Sequence, residues 1–129
     1  MAESLLYIQN LDLDYLVARL VTKENWEKKA AVEATRRYKN FLILIYKNPG
    51  IVTSPTFDID AVWHAHILHT KKYTHDCNII FGKYLHHTPS TDMEEEQAFL
   101  ERASRNFSQL YTQEFGESYF DTLNVSSFW

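Results

Sequence analysis

Glycine and proline are scarce in this chain, three of each in 129 residues. That leaves little material for the tight turns of a many-stranded β fold and favours long helices. Cysteine occurs once, which rules out an internal disulfide framework. No apolar run approaches the length of a membrane span. The opening residues, M-A-E-S-L-L-Y-I-Q-N, lack a basic stretch ahead of an apolar one and so do not read as a secretory signal. An excess of basic residues is missing too. The net charge of −4 and pI near 5.8 count against nucleic-acid binding, which needs a basic footprint. The one basic run, Lys28-Lys29, Arg36-Arg37 and Lys39, has Glu27 and Glu33 interspersed and reads as a solvated helix face. These absences lead to the expectation of a soluble, cytoplasmic protein with no membrane or nucleic-acid partner.

What is present suits one globular domain over residues 1–129. Apolar residues make up 45% and aromatics 15%, enough for a packed core at this length. Residues 3–9 are ambiguous. From Asn10 or Asp12 onward, Leu13, Leu16, Val17, Leu20 and Val21 repeat with helical spacing. A second helix is expected from Trp26 to Tyr46, with Trp26, Ala30, Ala34, Tyr38, Phe41, Leu44 and Ile45 on one stripe. Lys47-Asn48-Pro49-Gly50 ends it. Arg37 falls inside that stripe, so it must either find a carboxylate, Asp58 or Asp60, or snorkel outward. Thr56 is placed to cap a third helix running to Phe81, with Gly82 as its left-handed C-cap. Thr91-Asp92-Met93-Glu94 forms a capping box for a fourth helix, which carries Phe107, Leu110 and Tyr111 on one face and stops before Gly116. The aromatic tail is expected to fold back onto the helices. The fold class is therefore all-α: a bundle of about four main helices with an irregular His-His loop after the third.

All six histidines and the cysteine lie between Pro55 and Pro89. On one continuous helix, His66, Thr70, Tyr73 and Cys77 share the buried face with Ile59, while Asp60 and His64 lie on another. His64-x-His66 resembles a metal pair, but residues two apart on a helix diverge by roughly 160°. His66 and Cys77 share a face, yet eleven residues of helix separate them by about 16 Å. Asp60 and His64, at i and i+4, are the pair that can cooperate, and His66 reaches His69 or Thr70. A metal site would need His86 or His87 folded back from the loop, and a helix histidine, a loop histidine and an aspartate suit zinc or iron.

Arg37-Tyr38 and Phe41, then Pro55, Asp60, Trp63-His64-x-His66, Tyr73, Asp76-Cys77 and Phe81-Gly82, resemble the glycine-rich domain-containing protein-like family, formerly a domain of unknown function. In that family an R-Y-x-x-F helix precedes a D-x-x-W-H-x-H…Y-x-x-x-C…G run. The resemblance covers roughly residues 12–89, leaving the fourth helix and tail, 90–129, outside it. It marks Asp60, Trp63, His64, His66, Tyr73 and Cys77 as signature positions. Plant members are long, multi-domain proteins with a glycine-rich tail, associated with development and stress responses. With no glycine-rich region, this chain resembles the short stand-alone members. The family implies no settled activity, cofactor or catalytic residue. Two readings follow. One is a non-enzymatic module that binds a partner protein or a small ligand, with His66, Tyr73 and Cys77 in a buried polar network. The other is a zinc or iron protein, or a metal-dependent enzyme, drawing on Asp60, His64, His66, His86 and His87.

Overall fold

The structure, a computed structural model, describes residues 2–88 and 93–120. Among them are six helices and no strand: α1 (Ala2–Asn10), α2 (Asp14–Glu24), α3 (Lys28–Lys47), α4 (Phe57–Leu68), α5 (Thr70–Phe81) and α6 (Glu94–Phe115). The all-α class is as expected, but the count of about four is corrected to six. The ambiguous residues 3–9 are helical, and the expected single third helix is two. No helix among the described residues is long and apolar enough to cross a membrane.

α3 is the central element and packs against α1, α2, α4 and α6. Its apolar stripe does this: Ala34, Tyr38, Phe41 and Leu44 are buried, and the last turns, Leu42 to Ile45, are buried all round. Phe41 contacts the rings of both Trp63 on α4 and Phe107 on α6, at centroid distances of 5.0 and 5.3 Å, so one side chain joins three helices. Ile8 gives α1 its hold on this core, and Leu16 and Leu20 give α2 theirs.

The helix ends follow local chemistry. Asn25 closes α2 in the left-handed region, which asparagine tolerates. The Asn48 side chain donates to the Leu44 carbonyl at 2.8 Å, a second bond to an oxygen that its own backbone N–H reaches at 3.0 Å, and so fastens the end of α3. Gly82 closes α5 at φ +73°, as its position predicts. The capping-box residues Thr91 and Asp92 lie outside the described residues. Thr56 is at the N-cap of α4 but makes no side-chain cap; its hydroxyl donates instead to Asp58 Oδ1.

α4 and α5 part at His69 with neither proline nor glycine there. The His69 ring Nδ1–H donates to the Ala65 carbonyl at 3.0 Å, the acceptor its own backbone N–H would use in a continuous helix. That N–H turns to the His66 carbonyl instead, and the chain leaves helical geometry at φ −87°, ψ 71°.

Arg37 is 1% exposed and does not snorkel. Its Nε donates to Asp58 Oδ2 at 2.8 Å, and Nη2 donates to the Tyr119 carbonyl at 2.7 Å and to the Thr56 hydroxyl at 3.3 Å. Of the two carboxylates expected for it, Asp58 is the partner. Tyr119 is fully buried against Phe107 and Tyr111, and its hydroxyl donates to the Ser54 carbonyl at 2.7 Å. The start of the aromatic tail thus folds back as expected; residues 121–129 lie outside the described residues.

Candidate functional site

The break at His69 folds α5 against α4 and creates pairs that a straight helix forbids. Ten residues apart in sequence, His66 Nε2 meets Asp76 Oδ2 at 2.8 Å, and Trp63 Nε1–H donates to the Tyr73 hydroxyl at 2.9 Å. The separation of about 16 Å expected along a continuous helix holds only for unbroken geometry, and the break removes that condition. It also turns Thr70, expected on the buried face, out into solvent.

His66 is 1% exposed and lies in the middle of a four-residue chain. Tyr38 from α3 meets His66 Nδ1 at 2.7 Å, and Tyr7 from α1 donates to Asp76 Oδ1 at 2.6 Å. One assignment satisfies every atom: Tyr38 donates to Nδ1, and Nε2–H donates to the Asp76 carboxylate. Burial raises the Asp76 carboxyl, but the hydrogen bonds from His66 and Tyr7 and the nearby imidazoles of His66 and His75 outweigh it. The group is held below its ordinary value. Burial pushes the Tyr38 phenol well above its ordinary value, keeping it a donor. Burial does the same to Tyr7, with help from its bond to Asp76. These side chains tie α1, α3, α4 and α5 together.

A second set surrounds the segment after α5. The Tyr73 hydroxyl, fixed from one side by Trp63, donates to the Leu85 carbonyl at 2.5 Å. Burial raises the Cys77 thiol, and the polar groups of the neighbouring Leu85 main chain and Tyr73 side chain offset only part of that. His87 lies flat on the Trp63 indole, with centroids 4.0 Å apart and planes 1° from parallel. Its Nε2 is 2.5 Å from Asp60 Oδ1.

His66, Tyr73 and Cys77 are therefore buried, with His66 and Tyr73 also in edge contact at 4.9 Å. Asp60 pairs with His87 rather than with His64. His64 is exposed, and no hydrogen bond to its side chain is found among the described residues. His86 is exposed and tilts against the Tyr84 ring at 4.8 Å. His69 faces Tyr15 edge-on at 4.9 Å. The structure thus brings together Asp60 with His87 and leaves His64 and His86 apart from them. Among the described residues, no group of three or more His, Cys, Asp or Glu side chains is placed to share a metal ion.

Sequence reasoning missed Tyr38 and Asp76 as partners of His66, and Tyr7 as the partner of Asp76. The available signal was chemical: a phenol and a carboxylate inside apolar stripes each require a buried partner.

The family model described as UCP032817-like matches residues 6–117. Glycine-rich domain-containing protein 2 of Arabidopsis thaliana is 33% identical over 91 residues, covering 67% of this chain and 12% of that protein. Glycine-rich domain-containing protein 1 of the same plant is 42% identical over 59 residues, covering 43% of this chain and 7% of its own length. This chain therefore corresponds to a small part of each of those two relatives. No solved structure matches it. With the R-Y-x-x-F helix, the Trp63-His64-x-His66 turn and the Tyr73–Cys77 helix assembled as described, the chain belongs to the UCP032817-like family and is a relative of the plant glycine-rich domain-containing proteins.

Proposed function

We propose that this domain is a non-catalytic helical binding module whose His66, Tyr73 and Cys77 hold the fold. The observation carrying this reading is that both ring nitrogens of His66 and the hydroxyl of Tyr73 are spent on partners within the protein. A general base needs an open nitrogen facing a substrate, and these have none to offer. The raised Cys77 thiol is likewise a poor nucleophile, since the thiolate is the reactive form.

A zinc or iron site is the rival. It draws on one observation, the Asp60–His87 contact, which already joins a carboxylate and an imidazole. It needs a third ligand from His64, His66 or His86. Elemental analysis of protein purified without a histidine tag separates the two readings. The binding-module reading expects folded, metal-free protein whose His66→Ala variant loses the same stability with and without a chelator. A stoichiometric transition metal would overturn it.

A further inference from the structure

Three of the six signature positions, Asp60, Trp63 and Tyr73, touch residues 83–88, and a fourth, Cys77, lies beside the Leu85 main chain. This segment leaves α5 at the left-handed Gly82 and runs on without regular secondary structure. Its residues alternate. Leu85 and His87 are half-buried, while Tyr84 and His86 are exposed and touch each other, with Tyr84 also resting an edge on the Tyr73 ring at 5.2 Å. That is the period of an extended strand. Leu85 contributes its main chain: its carbonyl accepts from Tyr73, and the Cys77 thiol lies beside the same stretch of backbone. Two residues on, His87 contributes a ring. A main-chain bond at one residue with an anchoring side chain at the next inward position is how extended peptide ligands are read.

The seat beneath is built independently of its occupant. Trp63 is braced from the core by Phe41 at 5.0 Å, and its Nε1–H orients the Tyr73 hydroxyl toward the Leu85 carbonyl. The Tyr38–His66–Asp76–Tyr7 chain, which holds α4 against α5, makes no contact with residues 83–88 among these bonds. Lifting the segment therefore leaves the frame standing. The outer end of the segment is held at a surface: the His87 side chain is 24% exposed and that of Asp60 48%. An indole face with a carboxylate at its rim suits a planar ring bearing an N–H, and the ring found there is an imidazole.

We infer that residues 83–88 are a detachable strap filling, in cis, a docking seat for an extended peptide that carries a histidine. The seat consists of the Trp63 face, the Asp60 carboxylate and the Tyr73 hydroxyl. This rests on the binding-module reading and names its partner chemistry. A tethered strap competes at high effective concentration, so the seat opens to a peptide in trans only when that peptide binds better or when the latch is weakened.

The sole cysteine lies under the strap and reports its opening. In the full chain, His87→Ala should raise the rate of Cys77 reaction with a thiol-exchange reagent at least tenfold, with the far-UV circular dichroism unchanged. The peptide acetyl-Lys-Tyr-Leu-His-His-Thr-amide, at millimolar concentration, should restore protection. The same peptide with alanine for the second histidine should not, and Asp60→Asn in the His87→Ala background should abolish the protection. A thiol as unreactive in His87→Ala as in the wild type, or a peptide that gives no protection, would overturn the inference. So would protection that survives Asp60→Asn. Amide exchange in the wild type guards against a variant that fails to fold. The Leu85 amide should exchange at least tenfold faster than the most protected amides of α5, and equal protection would overturn the strap. A stoichiometric metal in the untagged protein overturns the binding-module reading itself. Metal-free protein with a closed thiol overturns the strap alone.

Discussion

Replacing His66 with leucine puts an apolar side chain of similar bulk on the inner face of α4 but strands two partners. Tyr38 is fully buried and loses its acceptor, and an unpaired buried hydroxyl costs about 1–3 kcal/mol. Asp76 keeps Tyr7 but loses the His66 bond, and a hydrogen bond to a charged group contributes about 1.5–3 kcal/mol. Leucine offsets part of this by burying more apolar surface, so a net loss of about 3–4 kcal/mol is expected. The informative comparison adds Tyr38→Phe. In the wild type that change strands His66 Nδ1 and should cost about 1 kcal/mol, whereas in His66→Leu it removes the stranded hydroxyl and should restore about 1–2 kcal/mol. The sign of the same substitution therefore reverses between backgrounds. Urea unfolding of the four proteins, followed by far-UV circular dichroism, measures it. Equal costs for Tyr38→Phe in both backgrounds would refute the assignment of Tyr38 as donor to His66.

Asp76 also makes stability depend on pH. Its carboxyl is held below the ordinary value in the folded state, so its contribution is fully present above about pH 4 and lost as pH falls through the folded value. The stability gap between wild type and Asp76→Asn, from urea titrations, should therefore shrink from neutral pH into strong acid; a constant gap counts against the linkage. Arg37→Met leaves the largely buried Asp58 and the Tyr119 carbonyl without their cation, at a cost of about 3–5 kcal/mol. Asp58→Leu added to Arg37→Met should recover much of that, as read by the shift in Tm. Gly82→Ala meets no atom within 4 Å but must hold φ at +73°, which costs about 1 kcal/mol; a neutral substitution would mean that the start of the strap relaxes freely.

Much of the scaffold was legible because period-3.6 patterns and end signals agree. The stripe of α3 and the left-handed Gly82 are where the spacing puts them. α1 was obscured because nine residues allow only a short stripe, with Leu5 and Ile8 its inward marks. The larger miss, the division of α4 from α5, has no proline or glycine to announce it. It follows from a side-chain bond within one turn, His69 to Ala65, which residue type alone does not dictate. Everything at the site depends on that division. Arg37 and Asp58 were foreseeable because a buried cation requires a carboxylate and only two stood nearby. His66 and Asp76 were not, since the helical ruler kept them apart. Asp60 was likewise assigned to its neighbour along the helix, although His87 reaches it from the loop.

The turn at His69 has a consequence for the spacing of the signature itself. Two pairs, Trp63 with Tyr73 and His66 with Asp76, are each offset by ten residues across it. Their common offset makes the short connection between them a fixed length. Inserting or deleting one residue between Ile67 and Lys72 would rotate α5 by about 100° relative to α4, and both pairs would be lost together while every chemical group remained in the chain. The motif is thus a measure of distance along the chain as much as a set of side chains, and a protein carrying the same residues at an altered interval would have to build a different site.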